Sequence, residues 1–189
     1  RDAQESRGLG DVYKRQSQVF PAKTMCAHVT TWNKNSSVKF RTDVAMMCKL
    51  GFDIKLADMS KDDETYCRTA VQNYNRLKPV VLEGDMYRLV SPYGSNHTST
   101  MYVGKDKDKA AVFAFDIHPR YAEKILPVRL QGLDADKMYR VKEINLMPGA
   151  NSSLSGNGEV FSGEFLMNVG LNLFTAQQLN SRVIEVVAE

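Results

Sequence analysis

The chain has 189 residues, 43% apolar and 25% charged, a balance that excludes a wholly disordered protein. Its 25 Lys and Arg and 22 Asp and Glu are interspersed and leave a formal charge of +3, which argues against a dedicated nucleic-acid binder. No apolar run reaches the ~20 residues that a membrane span requires. Cys26, Cys48 and Cys67 are widely spaced with no Cys-x-x-Cys, so free buried thiols are expected rather than a disulfide framework or zinc ribbon.

The first segment, Arg1–Gln16, is best explained outside protein structure. Gly10–Gln16 back-translates to a sequence resembling the mosaic end of a sequencing-library transposon. Ser6–Leu9 fits the adapter directly upstream, and Arg1–Glu5 fits a primer and index. Residues 1–16 are therefore set aside as a library artefact. The chain starts with Arg rather than Met, so the expectation is a piece of a larger protein whose own residues begin near Ser17 and whose signal region is missing.

Residues 17–56 hold two apolar stretches, Met25–Val29 and Val44–Ile54, separated by the polar loop Thr30–Ser37. A helix is expected next. Ser60 can cap it, Asp62, Asp63 and Glu64 suit the positive end of its dipole, and Tyr66, Ala70, Tyr74 and Leu77 form one apolar stripe. Pro79 is expected to stop it.

From Val80 the pattern turns to period two. Met86–Val90, Thr98–Val103, Ala110–Phe115, Ile125–Leu130, Tyr139–Asn145, Glu164–Val169 and Arg182–Val187 read as strands separated by turn sequences such as Ser91-Pro92-Tyr93-Gly94 and Met147-Pro148-Gly149. That spacing predicts an antiparallel β-sandwich. The helix and strands before it read as the end of a preceding α/β domain.

Spacing alone names no reaction. Cys26 and His28 lack the further partners that a nucleophile or zinc site needs, with His97 and His118 far away in sequence, and they read as ordinary buried side chains. Asp43, Asp53 and Asp58 could supply a glycosidase carboxylate pair, but spacing does not select two of them. Trp32, the only tryptophan, sits in a polar loop where it can anchor packing or stack on a sugar. Three Asn-x-Ser/Thr triplets, at Asn35, Asn96 and Asn151, carry no weight on their own.

Longer motifs say more. Phe20–Val29 (FPAKTMCAHV) resembles the segment after the catalytic acid in α-galactosidases of glycoside hydrolase family thirty-six. Phe40–Phe52 (FRTDVAMMCKLGF) resembles that family's last barrel strand and its approach. Gly84–Leu89 with Ser91-Pro92 resembles its junction into the C-terminal β domain, and Tyr139–Gly149 and Ser162–Gly170 resemble the closing strands of that domain. The likeness is strongest to a Bacteroides-type branch.

This resemblance implies the last part of a (β/α)8 barrel over residues 17–78 and a C-terminal β-sandwich over 79–189. It implies a retaining, exo-acting parent enzyme that takes terminal α-galactosides from oligosaccharides, with no metal or organic cofactor. The family's nucleophile lies in a Lys-Trp-Asp-type motif and its acid/base in a Ser-Asp-Asn-type motif. Neither occurs in this sequence, so no catalytic residue is assigned and the chain alone is expected to be inactive. His28 and Trp32 are the candidate substrate-proximal residues. Cys48, where many relatives carry Gly, and Asp53, in place of a more usual Glu, depart from the family pattern. A raffinose-synthase-like galactosyltransferase and a non-catalytic carbohydrate-binding module remain alternatives. The branch resemblance also implies a periplasmic location.

Overall fold

The computed structural model describes residues 20–30 and 35–189. The adapter-like residues 1–16 and Trp32 lie outside the described residues.

A short 3-10 turn at Ala22–Thr24 leads into strand β1 (Cys26–Thr30), then helix α1 (Val38–Ala45) and strand β2 (Lys49–Asp53). β1 and β2 pair in parallel, with Cys26 opposite Lys49 and Thr30 opposite Asp53. This is one βαβ unit, the repeat from which α/β barrels are built. α1 begins where Ser37 Oγ accepts from the Phe40 amide at 3.0 Å. The apolar stretch Val44–Ile54 read from the sequence joined only the last two residues of α1 to β2 and left the rest of the helix unassigned. Residues 40–48 are all buried, so period carries no information there and only the Ser37 cap marks the helix.

Helix α2 (Lys61–Glu83) starts as expected, with Ser60 Oγ accepting from the Asp63 amide at 3.1 Å. Tyr66, Ala70, Tyr74 and Leu77 are all buried. Pro79 does not stop it. The helix continues through the proline to Glu83. A proline inside a helix costs about 3 kcal/mol, but Pro79 faces solvent while Val80 and Val81 bury in the core. Packing of those two valines offsets the lost backbone bond. Gly84 then passes straight into the sheet, pressed against the Val103 carbonyl so closely that no side chain fits there.

The β-rich half forms a six-stranded antiparallel sheet in the order β3-β4-β5-β8-β6-β7. Its strands are β3 (Asp85–Val90), β4 (His97–Val103), β5 (Lys109–Asp116), β6 (Met138–Ile144), β7 (Val160–Ser162) and β8 (Asn180–Ala188). Two expected strands are not strands. Ile125–Leu130 runs as irregular chain with one bridge, Val128 to Leu171. Glu164–Val169 coincides with helix α3 (Gly163–Asn168), capped by Ser162 Oγ on the Phe165 amide at 3.1 Å. Its six residues are too few to show a helical period.

The architecture is thus a parallel barrel remnant followed by an antiparallel β domain. Both faces of the sheet are covered. Tyr102, Ala111, Phe113, Phe115 and Val183 share a core with α1 and α2, and Phe40 meets Phe115 edge-on at 5.6 Å between ring centres. Met101, Val112, Ala114, Ile184 and Val186 face the other way, against Leu130, Leu133, Leu154, Leu166 and Leu173. Among the described residues this second cover is irregular chain plus α3 rather than a second sheet.

Candidate functional site

Parallel α/β units place their chemistry at the C-terminal ends of the strands. Here those ends carry Thr30 on β1 and Asp53 on β2. Strand β1 alternates strictly. Ala27 and Val29 are buried beneath the helices, while Cys26 and His28 point to the open face. Cys26 and His28 are therefore exposed, not ordinary buried side chains. The period-two pattern decides this, because the two apolar positions claim the covered face.

His28 stands opposite Gly51 on β2. Its imidazole lies against the glycine, and a Cβ at position 51 would overlap the ring. A glycine inside a strand marks such close approaches, and this was the one signal in the sequence for where His28 rests. The loop leaving β1 is held at both ends by the buried Arg41. Its guanidinium donates to the Thr30 carbonyl, and its Nε donates to the Ser37 carbonyl at 3.4 Å. Arg41 thus brackets the segment that carries Trp32.

The three aspartates raised by the sequence do not converge. Asp53 and Asp58 are exposed. Asp43 is fully buried. It accepts from Lys39 Nζ at 2.5 Å, Tyr66 OH at 2.7 Å, Ser181 Oγ at 2.7 Å and Asn145 Nδ2 at 3.0 Å. Those partners come from α1, α2, β8 and the residue after β6, so this carboxylate ties the barrel remnant to the sheet. All four are donors, which uses the carboxylate's acceptor capacity and leaves nothing for substrate. Burial, reinforced by Asp43, pushes the Tyr66 phenol well above its ordinary range. Sequence reasoning missed this junction because its members lie up to 142 residues apart.

Two thiols are buried as expected. Burial pushes Cys48 up to about 12 and Cys67 up to about 11, so both stay protonated and unreactive at neutral pH. Among the described residues no group of three or more His, Cys, Asp or Glu could hold a metal ion. Of the tyrosines available as a sugar platform, Tyr102 and Tyr139 are buried, while Tyr93 and Tyr121 are exposed on loops.

Two family models divide the chain between them. One, described as melibiase, matches residues 8–84, and the other, the glycosyl hydrolase family 36 C-terminal domain, matches residues 97–186. This chain belongs to glycoside hydrolase family 36. Among its relatives is alpha-galactosidase 2 of Hypocrea jecorina, 32% identical over 174 residues, which are 89% of this chain and 21% of that protein. Alpha-galactosidase AgaA of Geobacillus stearothermophilus is 26% identical over 145 residues, covering 74% of this chain and 20% of that one.

The fold agrees. The crystal structure of the family 36 alpha-galactosidase AgaB from Geobacillus stearothermophilus superposes with a TM-score of 0.79 at 25% identity, over 96% of this chain and 24% of that one. A variant of AgaA in complex with stachyose gives 0.81 at 25% identity, over 96% and 25%. The family 36 chain described here therefore spans about a fifth to a quarter of the length of these relatives.

Proposed function

We propose that this chain is the C-terminal part of a retaining, exo-acting α-galactosidase that removes terminal α-galactose from oligosaccharides. The observation that carries this reading is the order of the two family matches, one on the βαβ unit and one on the antiparallel domain behind it. Raffinose and stachyose, the sugars in complexes of AgaA variants, indicate the substrate class. On this reading residues 17–78 are the end of the barrel and the β domain follows from 79, with α2 running through the division to Glu83.

Retaining hydrolysis needs one carboxylate to attack the anomeric carbon and a second to protonate the leaving oxygen and then activate water. The sequence contains neither a Lys-Trp-Asp nor a Ser-Asp-Asn motif, and Asp43 is consumed by its four donors. This chain's contribution is then one wall of the site. His28 presents imidazole nitrogens from the open face of β1, suited to a sugar hydroxyl, and Trp32, two residues after Thr30 in the sequence, supplies an indole of the kind that stacks on sugars. The β domain buttresses α1 from behind and does not itself bind sugar.

The test is activity on p-nitrophenyl α-galactoside and raffinose, for this chain and for the in-frame product of upstream coding DNA from the same source. The expected result is no turnover by residues 1–189 and turnover by an extended chain carrying both carboxylate motifs. An extended chain that transfers galactose to an acceptor rather than to water would move the reading to a galactosyltransferase. Turnover by residues 1–189 alone would overturn it.

A further inference from the structure

His97 opens β4 as a buried residue, 5% exposed. Its ring stacks on Phe174, with centroids 4.7 Å apart. Nδ1 lies 2.7 Å from Asp116 Oδ1. Asp116 also accepts from the Thr175 amide at 3.0 Å, Thr175 Oγ1 at 2.7 Å and Asn180 Nδ2 at 3.2 Å. Since every other neighbour of this carboxylate is a donor, the hydrogen between the pair belongs on Nδ1. Nε2 is then the one variable position on the ring. It is buried, has no hydrogen-bond partner among the described residues, and lies 3.7 Å from Glu123 Oε2.

In neutral His97 the bare Nε2 lone pair faces an anionic oxygen. In protonated His97 an N–H faces it. Glu123 belongs to the irregular chain at 118–131, which crosses the end of the sheet between β5 and β6. Its other partners are Asn96 Nδ2 at 3.2 Å and the Arg120 amide at 2.9 Å. The Arg120 amide chiefly, with Asn96 and the charges of His97 and Arg120, holds the Glu123 carboxyl below its usual range. Glu123 therefore remains ionised through the interval, about pH 5–8, in which histidine changes charge.

The remaining charges are accounted for. Lys124 and Arg129 line, with His97, Glu123 and Phe174, an open cleft of about 530 Å³. β3 contributes only Leu89 and Val90 to that cleft. His118 is engaged with Gln178 at 3.1 Å. The only carboxylates within 4 Å of the His97 ring nitrogens, among the described residues, are Asp116 and Glu123.

We propose that His97 and Glu123 form a proton-operated latch, which clamps residues 119–126 onto the end of the sheet when His97 is protonated and loosens them when His97 is neutral, while Val128 and Leu130 stay fixed by their own backbone bonds to Leu171 and Leu166. The latch requires nothing from the sugar site and is independent of the hydrolytic reading.

Amide hydrogen exchange of the full chain tests it, with protection factors corrected for the intrinsic pH dependence of exchange. Protection of the Arg120 and Glu123 amides, which bond within the latched stretch, should be several-fold higher near pH 5.5 than near pH 8, the two sides of the usual histidine titration, while Val128, Leu130, β5 and β8 stay unchanged. In Glu123→Gln the amide can donate to neutral Nε2, so protection should persist and its pH dependence should vanish. Equal protection of the wild-type segment at both pH values, or a full pH difference surviving in Glu123→Gln, overturns the latch. If that variant misfolds, NMR of the wild type decides. The Glu123 and Lys124 amide shifts must follow the His97 ring titration with the same midpoint, and a different midpoint overturns the proposal.

Discussion

The two regions of this molecule are buried in different ways. Strands β1 and β2 cover one face with α1 and α2 and leave the other, with Cys26 and His28, open. Strands β4, β5 and β8 are covered on both faces. The cover on one of those faces is supplied by the barrel helices. The antiparallel half is thus less self-sufficient than its continuous hydrogen-bond pattern implies, and the βαβ half gains a hydrophobic core by leaning on it.

Cutting the chain is the hardest blow to that arrangement. Residues 79–189 expressed alone would expose Tyr102, Ala111, Phe113, Phe115 and Val183 to water. At roughly 25 cal/mol per Å² of apolar surface, five uncovered core side chains cost a large share of the ~5–15 kcal/mol that holds a domain together. The expected outcome is a poorly cooperative, dye-binding species by circular dichroism and ANS fluorescence. A sharp thermal transition matching that of the full chain would show that the β half stands alone.

Removing the Asp43 carboxylate attacks the same seam at one point. Asp43→Ala takes the carboxylate from a partly buried Lys39 ammonium, which keeps the Ser181 carbonyl at 2.9 Å, and from three hydroxyl or amide donors. Losing one partner of a buried ion pair typically costs about 3–5 kcal/mol. A urea midpoint within error of wild type would dismiss Asp43 as the tie. The open face is tested by Gly51→Ala, whose methyl overlaps the His28 ring. Because the exposed ring can swing aside, the cost should stay at the low end of overpacking, about 1 kcal/mol. Adding His28→Ala should recover most of that loss, and a double-mutant cycle that shows no coupling would mean the ring does not rest on the glycine.

The last expected effect is a pH dependence. Cys48 and Cys67 titrate near 12 and 11 in the fold but near 8.5 when unfolded. Between those values the unfolded chain binds fewer protons than the folded one, so stability is full below pH 8.5 and declines as pH rises towards 11–12. Urea midpoints at about pH 8 and pH 10 should fall in that order, and Cys48→Ala should flatten the slope. Iodoacetamide at pH 8 should label the exposed Cys26 well ahead of the other two.

Much of this was legible in the residues themselves. The Ser60 cap, the Tyr66–Leu77 stripe and five of the seven expected strands emerge where local period and local caps agree. Family motifs along the chain pointed to the same two-part organisation. The failures share a cause. Pro79 was read as a stop because the packing of Val80 and Val81 is invisible locally, and α1 and α3 were missed because one is buried throughout and the other is a turn and a half long. At the candidate site the sequence named His28 but gave no account of its seat on Gly51, which requires the parallel register of β1 with β2.

The sequence by itself determined the order of the parts, the helix α2, most of the sheet, the absence of the two family carboxylate motifs, and hence the expectation of an inactive piece of a glycosidase. The order of the parts, the helix and the strands depend on residue types and short-range spacing, whereas the glycosidase expectation rests on the resemblance to the family's motifs. Only the tertiary structure decided that Asp43 is a tie between halves rather than a reagent, that Arg41 brackets the β1–α1 loop, and that His97 lies between two carboxylates. Each of these depends on groups brought together from distant points of the chain, and their ionic and hydrogen-bonding roles come into being only when burial removes the competing water.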